Sequence, residues 1–168
     1  MNALLQHKTT VGALWHQDME PIFAFVDIVL RIAHKELYEF AEETQRSLRS
    51  QDNLRDAFQY WQTVYNGVSL ISNRDTPAHV DANTHRAWPD VLVTAGPYRG
   101  GTFKIGTCER PFKYSSGTVV LLCGGSISHE VIDVDGERVC WAFFMRKDVQ
   151  RRIGWEEIGW ASSDAIGM

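Results

Sequence analysis

The sequence predicts an α+β fold: a jelly roll or barrel of antiparallel strands, buttressed by N-terminal helices. Apolar residues recur at helical spacing over residues 20–65. Near residue 66 the pattern switches to short β-prone runs divided by Gly, Pro, Asn and Asp. No Pro/Ser-rich linker marks that switch, so it reads as a change of layer inside one domain. At 168 residues the chain has the length of one domain with a real core. The expected organisation is a single domain over 1–168, with 1–66 as helical support, 67–150 as the β-rich core and 151–168 as a C-terminal segment.

Phe23, Val26, Val29, Leu30, Ala33, Leu37 and Phe40 fall at three- and four-residue steps that place them on one helix face. Asp27, Lys35, Glu36, Glu39 and Glu43 occupy much of the remaining surface. A second helical stretch is expected from Asn53 to Tyr65, after a break and cap candidate at Ser50-Gln51-Asp52-Asn53. Strands are expected at Val68–Ser72, Ala78–Asp81, Val91–Ala95, Gly101–Ile105, Thr118–Cys123, His129–Val134 and Arg138–Met145. Tyr98-Arg99-Gly100-Gly101 and Asp133-Val134-Asp135-Gly136-Glu137 read as hairpin turns, because glycine supplies the positive φ such turns need.

Composition excludes several classes. Seventeen Lys+Arg against twenty-one Asp+Glu give a net charge of −4, which argues against a protein that coats nucleic acid through overall basicity but leaves room for a local basic patch. The three cysteines, Cys108, Cys123 and Cys140, form no CxxC pair, so neither a zinc knuckle nor a disulfide framework is indicated and a reducing compartment is the simpler reading. Asp27 and Arg31 interrupt the apolar stretch Pro21–Ala33, which is far too short to span a bilayer, and no secretory signal is visible. A soluble, intracellular protein is expected.

His79-Val80-Asp81 is the first chemistry-bearing candidate. On a strand, residues two apart share a face, so the imidazole and the carboxylate could hold one metal ion together. Alone the pattern says little, since this composition gives about 0.4 such matches by chance. Two residues further along the chain give it weight. His129 comes after an apolar run and a glycine turn, and Arg138 opens the next strand. Two neutral imidazoles and a carboxylate on one side of a ferrous ion form the facial triad of non-haem iron oxygenases, which leaves coordination positions open. An arginine on a neighbouring strand can make a two-pronged bond to a distal carboxylate.

On these residues the sequence resembles the Fe(II)/2-oxoglutarate-dependent dioxygenases, and within them the TET/JBP branch, which oxidises methyl groups on thymine or 5-methylcytosine in DNA. The stretches that carry the resemblance are Asn73-Arg74-Asp75, His79-Val80-Asp81, Gly96-Pro97-Tyr98-Arg99-Gly100-Gly101, Tyr114 to Val120, and His129 with Gly136-Glu137-Arg138. The resemblance implies a double-stranded β-helix, with Fe(II) and 2-oxoglutarate as cofactors and dioxygen as co-substrate. It implies that His79, Asp81 and His129 hold the metal and that Arg138 pairs with the distal carboxylate of 2-oxoglutarate. It also implies an active-site role for Arg74, and for Phe144 a stacking role against a flipped target base. DNA carrying a methylated base is the implied partner, with a nuclear location in that case. Thr84 stands where some relatives have an acidic residue near the base, and Arg146 where some have a polar reader of the base edge.

Plainer readings stand beside these. Arg138 could form an exposed cross-strand ion pair with Glu130 or Glu137. Arg74 could cap the Asp75 turn. Phe144 lies in an apolar run where packing into the sheet core is the default. His85 reads as a loop histidine, and His7, His16 and His34 as surface or core-edge residues of the helical half. Tyr98 is either a turn residue or a pocket residue. The basic cluster Arg146, Lys147, Arg151 and Arg152 is either a solvated end or a phosphate contact. Trp155 and Trp160 are expected to pack the C-terminal segment back on the sheet. The rival functions are the same oxygenase chemistry on a peptide or small molecule, and a non-catalytic metal-binding jelly-roll module.

Overall fold

The computed structural model describes residues 10–154, apart from 55–57, 59, 83, 107 and 109. His7, Trp155 and Trp160 lie outside the described residues. The described residues fall into two compact units: those up to Gly67 together with those from Asp148 on, and those from Val68 to Lys147.

The first unit contains α1 (Thr10–Asp18), α2 (Glu20–Ala33) and α3 (Lys35–Arg49). Pro21 is tolerated in the first turn of α2, where no intrahelical N–H bond is lost. Phe23, Val26 and Leu30 form the buried stripe of α2; Leu37, Phe40, Ala41 and Leu48 form that of α3. The expected continuous helix is broken at His34, whose backbone leaves the helical region (φ −153°, ψ 80°). His34 caps both helices: its N–H donates to the Leu30 carbonyl at 2.7 Å, and its Nδ1 accepts from the Leu37 N–H at 3.4 Å. As a result Ala33, at the break, is exposed.

The expected helix over Asn53–Tyr65 falls partly outside the described residues, and from Trp61 onward the chain is not helical. There the backbone is satisfied by side chains. Gln45 Nε2 donates to the carbonyls of Val64 and Tyr65, both at 3.1 Å. Asp27 accepts from Thr63 Oγ1 at 2.6 Å and from the Val64 N–H at 3.1 Å. Burial pushes the Asp27 carboxyl up to about 6, against the lowering effect of those bonds. His16 is buried, contrary to its expected place at the surface or core edge, with its ring 4.9 Å from that of Trp15 and 5.5 Å from that of Trp61. Desolvation in this aromatic setting lowers its pKa.

The second unit holds eight strands: β1 (Gly67–Ser72), β2 (Thr76–His79), β3 (Asp90–Ala95), β4 (Tyr98–Ile105), β5 (Phe112–Lys113), β6 (Val119–Leu122), β7 (His129–Gly136) and β8 (Val139–Phe144). They form two four-stranded sheets, ordered β1-β8-β3-β6 and β2-β7-β4-β5. Every link between consecutive strands except β4–β5 passes from one sheet to the other, and this alternation is the double-stranded β-helix. Phe103, Tyr114, Leu122 and Val131 form a buried core cluster, with Leu92, Ile105, Val120, Ile127 and Val134 packed against it.

Two turn expectations are corrected by this topology. Tyr98–Gly101 lies inside β4, and the link from β3 is Gly96-Pro97. The glycines serve close packing instead of a turn: Gly100 has φ +68°, and a Cβ there would collide with the Asp133 carbonyl of β7. Likewise β7 runs on through Gly136, and its link to β8 changes sheets, so it is no hairpin. The two-residue β5 carried no periodic pattern long enough to be read. After β8 the chain forms the short helix α4 (Lys147–Arg152). No helix among the described residues is long and apolar enough to cross a membrane.

Candidate metal and co-substrate site

The strand register brings the two histidines together. His79 at the end of β2 and His129 at the start of β7 are direct antiparallel partners, with ring centroids 4.3 Å apart. Asp81 lies two residues past His79, and its N–H donates to the Gly124 carbonyl at 2.9 Å, which ties the loop after β2 to the turn after β6. His79 Nε2 is 3.6 Å from Asp81 Oδ1, and His129 Nε2 is 3.7 Å from Asp81 Oδ2. One donor atom from each of the three residues lies within 4.8 Å of the others.

The second nitrogen of each ring is also accounted for. His79 Nδ1 lies 2.8 Å from the Pro77 carbonyl, and His129 Nδ1 lies 3.0 Å from the Ile127 carbonyl. A carbonyl can only accept, so in the neutral ring the proton sits on Nδ1 and the Nε2 lone pair faces Asp81. A hydrogen bond from the far ring nitrogen fixes the tautomer of metal-binding histidines in this way. His129 is only 6% exposed, while His79 and Asp81 are 36% and 39% exposed, so one side of the cluster stays open. Two imidazoles and a carboxylate with an open side suit a divalent first-row metal such as Fe(II).

The cluster opens into a cavity of about 290 Å³ between the two sheets. Strand alternation sends Arg138, Cys140, Ala142 and Phe144 into it from β8 and the residue before β8, while Phe143 points the other way and is fully buried. Arg138 is 1% exposed. Its Nη2 donates to the Arg74 carbonyl at 3.0 Å, its backbone N–H donates to Asn73 Oδ1 at 2.8 Å, and its Nε has no hydrogen-bond partner. The exposed cross-strand ion pair is therefore not its environment, and Glu130 is instead paired with Lys104 at 3.0 Å. A buried guanidinium N–H without an acceptor, at a cavity wall, fits an incoming carboxylate.

Arg74 lines the same cavity, so it is brought to the site as well as taking part in the turn through its carbonyl. Phe144 also lines it, with the Arg146 guanidinium 5.2 Å from its ring centroid. Thr84 and Arg146 pair across an isolated β-bridge and both face the cavity. His85 is not part of the lining; it stacks on Trp88 with centroids 4.4 Å apart. Tyr98 is not part of it either, and its hydroxyl donates to the Tyr114 carbonyl at 2.9 Å. Arg151, from the basic cluster, is 3.6 Å from Asp148.

Three titratable lining residues drew no site role from sequence reasoning. Asp90, at the start of β3, is 5% exposed with its Oδ2 unpartnered; burial first, then the Asp81 charge, push it up to about 8. Tyr114 is fully buried with its hydroxyl 3.6 Å from Cys140 Sγ and the Arg138 guanidinium 5.7 Å from its ring centroid; burial raises its pKa. Cys140 is raised by burial as well, which keeps it a thiol.

A family model described as the oxygenase domain of the 2OGFeDO superfamily, Tet_JBP, matches residues 5–147. Among solved structures the chain is similar to a Pseudomonas putida prolyl-4-hydroxylase, at 18% identity and a TM-score of 0.34. That match covers 60% of this chain and 65% of the hydroxylase chain. None of the curated proteins matches.

Proposed function

Because the chain belongs to the oxygenase-domain family of the 2OGFeDO superfamily, whose chemistry uses Fe(II), 2-oxoglutarate and dioxygen, we propose that it is a dioxygenase that hydroxylates a methyl group on a nucleobase, thymine or 5-methylcytosine in DNA. The family match spans both compact units, which supports reading the chain as one dioxygenase domain.

In this reading His79, Asp81 and His129 hold Fe(II), and Arg138 binds the distal carboxylate of 2-oxoglutarate. The bound metal and co-substrate supply the oxidising power that breaks the substrate C–H bond. The chain's own residues bind and orient. The two Nδ1–carbonyl bonds aim the imidazoles, the Arg74 carbonyl aims the Arg138 fork, and the apolar walls at Leu92, Phe103, Val131 and Ala142 exclude water around the co-substrate. A base inside a duplex must first be flipped out, at a cost of a few kcal/mol.

The observation that carries the substrate reading is that the half-buried Phe144 lines the cavity with the exposed Arg146 over its ring, and that the exposed Arg74 lines the same cavity. A divalent iron, doubly charged 2-oxoglutarate, Asp81 and Arg138 sum to zero charge. Arg74 and Arg146 are the further guanidinium groups of the lining, against one further carboxyl, that of Asp90. An aromatic platform with guanidinium groups beside it suits a base flanked by phosphates.

The test is incubation with Fe(II), 2-oxoglutarate and oligonucleotides carrying 5-methylcytosine or thymine, followed by nucleoside mass spectrometry and succinate measurement. The expected result is a hydroxymethyl base formed in step with succinate, and neither product from Asp81→Ala. Succinate stimulated by a proline-containing peptide and not by the oligonucleotides would replace the nucleobase reading with the peptide one.

A further inference from the structure

The turn after β6 carries two glycines, Gly124-Gly125, that lie flush against the loop bearing Asp81. The backbone of Gly124 is outside the left-handed region, so its own conformation does not demand glycine. The space beside its Cα does. A Cβ built there falls well inside van der Waals contact with Asp81 Oδ2 and lies 2.7 Å from Asp90 Oδ2. Asp81 Oδ2 is the oxygen that faces His129 Nε2.

We propose that Gly124 is a positioning residue for the metal site: its bare Cα is the floor on which the Asp81 carboxylate rests, and Asp90 is the wall beside it. The inference rests on the reading of Asp81 as a ligand. The carboxylate can yield only toward the open side of the cluster, where Asp81 is 39% exposed, and that takes Oδ2 out of its place facing His129. The Asp81 backbone N–H is bonded to the Gly124 carbonyl at 2.9 Å, so the residue cannot back away without losing that bond. The buried Asp90 carboxyl borders the same glycine, with its Oδ2 2.7 Å from where the added Cβ would sit. Gly125 extends the same fit, since a Cβ there would lie 2.8 Å from Thr84 Oγ1 and 3.1 Å from the His85 carbonyl. Thr84 Oγ1 in turn donates to the Asp81 carbonyl at 3.2 Å. Both glycines therefore pack directly against Asp81, Thr84 and His85.

The test is titration calorimetry of the metal-free chain with Mn(II), with the ligand-field spectrum of the Co(II) form as a second readout. Gly124→Ala is expected to weaken Mn(II) binding by about tenfold or more and to shift the Co(II) bands, with the metal-free melting temperature nearly unchanged. In Gly124→Ala/Asp90→Ala the removed wall gives the carboxylate room to slide, and part of the lost affinity is expected to return. An affinity for Gly124→Ala within about twofold of the parent chain overturns the inference. So does loss of a cooperative melt, which assigns the glycine to folding, or a double variant that binds more weakly still. A parent chain that fails to bind Mn(II) would overturn the ligand reading itself, which separates the two failures.

Discussion

Arg138 is a charge held almost wholly out of water, and among the described residues no carboxylate is paired with it. Such a group is costly unless something anionic completes it. Binding through a planar fork is what distinguishes arginine from lysine here. Arg138→Lys is therefore expected to raise the KM for 2-oxoglutarate about tenfold or more, with Mn(II) affinity little changed, as read from succinate formation at varied co-substrate. An unchanged KM would place the anchor elsewhere. At this scale His79 and Asp81 were legible because their two-residue spacing is local, although the expected strand Ala78–Asp81 ends at His79 and Asp81 stands in the loop after it. Asp90 and Gly124 were not: the β3–β6 register, in which Asp90 pairs with Leu122, brings them together across a long stretch of chain. Nothing in the spacing of the sequence encodes that register.

At the scale of elements, most of the strands were legible, but which face each presents was not. β8 is a near-continuous apolar run, so its sequence alone could not say whether Phe143 or Phe144 enters the cavity. The helical half shows the same limit. The three- and four-residue spacing continues across His34, and only the dual cap shows where one helix ends and the next begins. Asp27 on α2 makes a prediction for this unit. Its folded pKa of about 6 lies above the unfolded value of 3.8, so the unfolded chain releases the proton first. The stability tied to its protonated form is complete below pH 3.8 and is lost as pH rises through about 6. The loss is on the order of 3 kcal/mol at most. Urea unfolding at pH 4 and pH 7 is expected to show this slope in the parent chain and its loss in Asp27→Asn; equal slopes would count against it.

Across the whole molecule, a net charge of −4 coexists with a cavity lined by Arg74 and Arg146. Overall charge hid this local pair of guanidinium groups, which is why composition spoke only against overall basicity. Two phosphate contacts on a single strand imply a log–log salt slope of about −1.4 for oligonucleotide binding. Fluorescence anisotropy across a salt series is expected to give that slope for the parent chain and a flatter one for Arg74→Gln/Arg146→Gln. A salt-independent affinity would remove phosphate from the account.

The aim of both imidazoles comes from carbonyls two residues back on the same chain, at Pro77 and Ile127. A carbonyl belongs to every amino acid, so neither side chain is what aims the ring, and Ile127 answers only to the core it packs against. What must be preserved there is the path of the main chain, guarded at Pro77 by its place in β2 and at Ile127 by the turn in which its N–H donates to the Cys123 carbonyl at 3.0 Å.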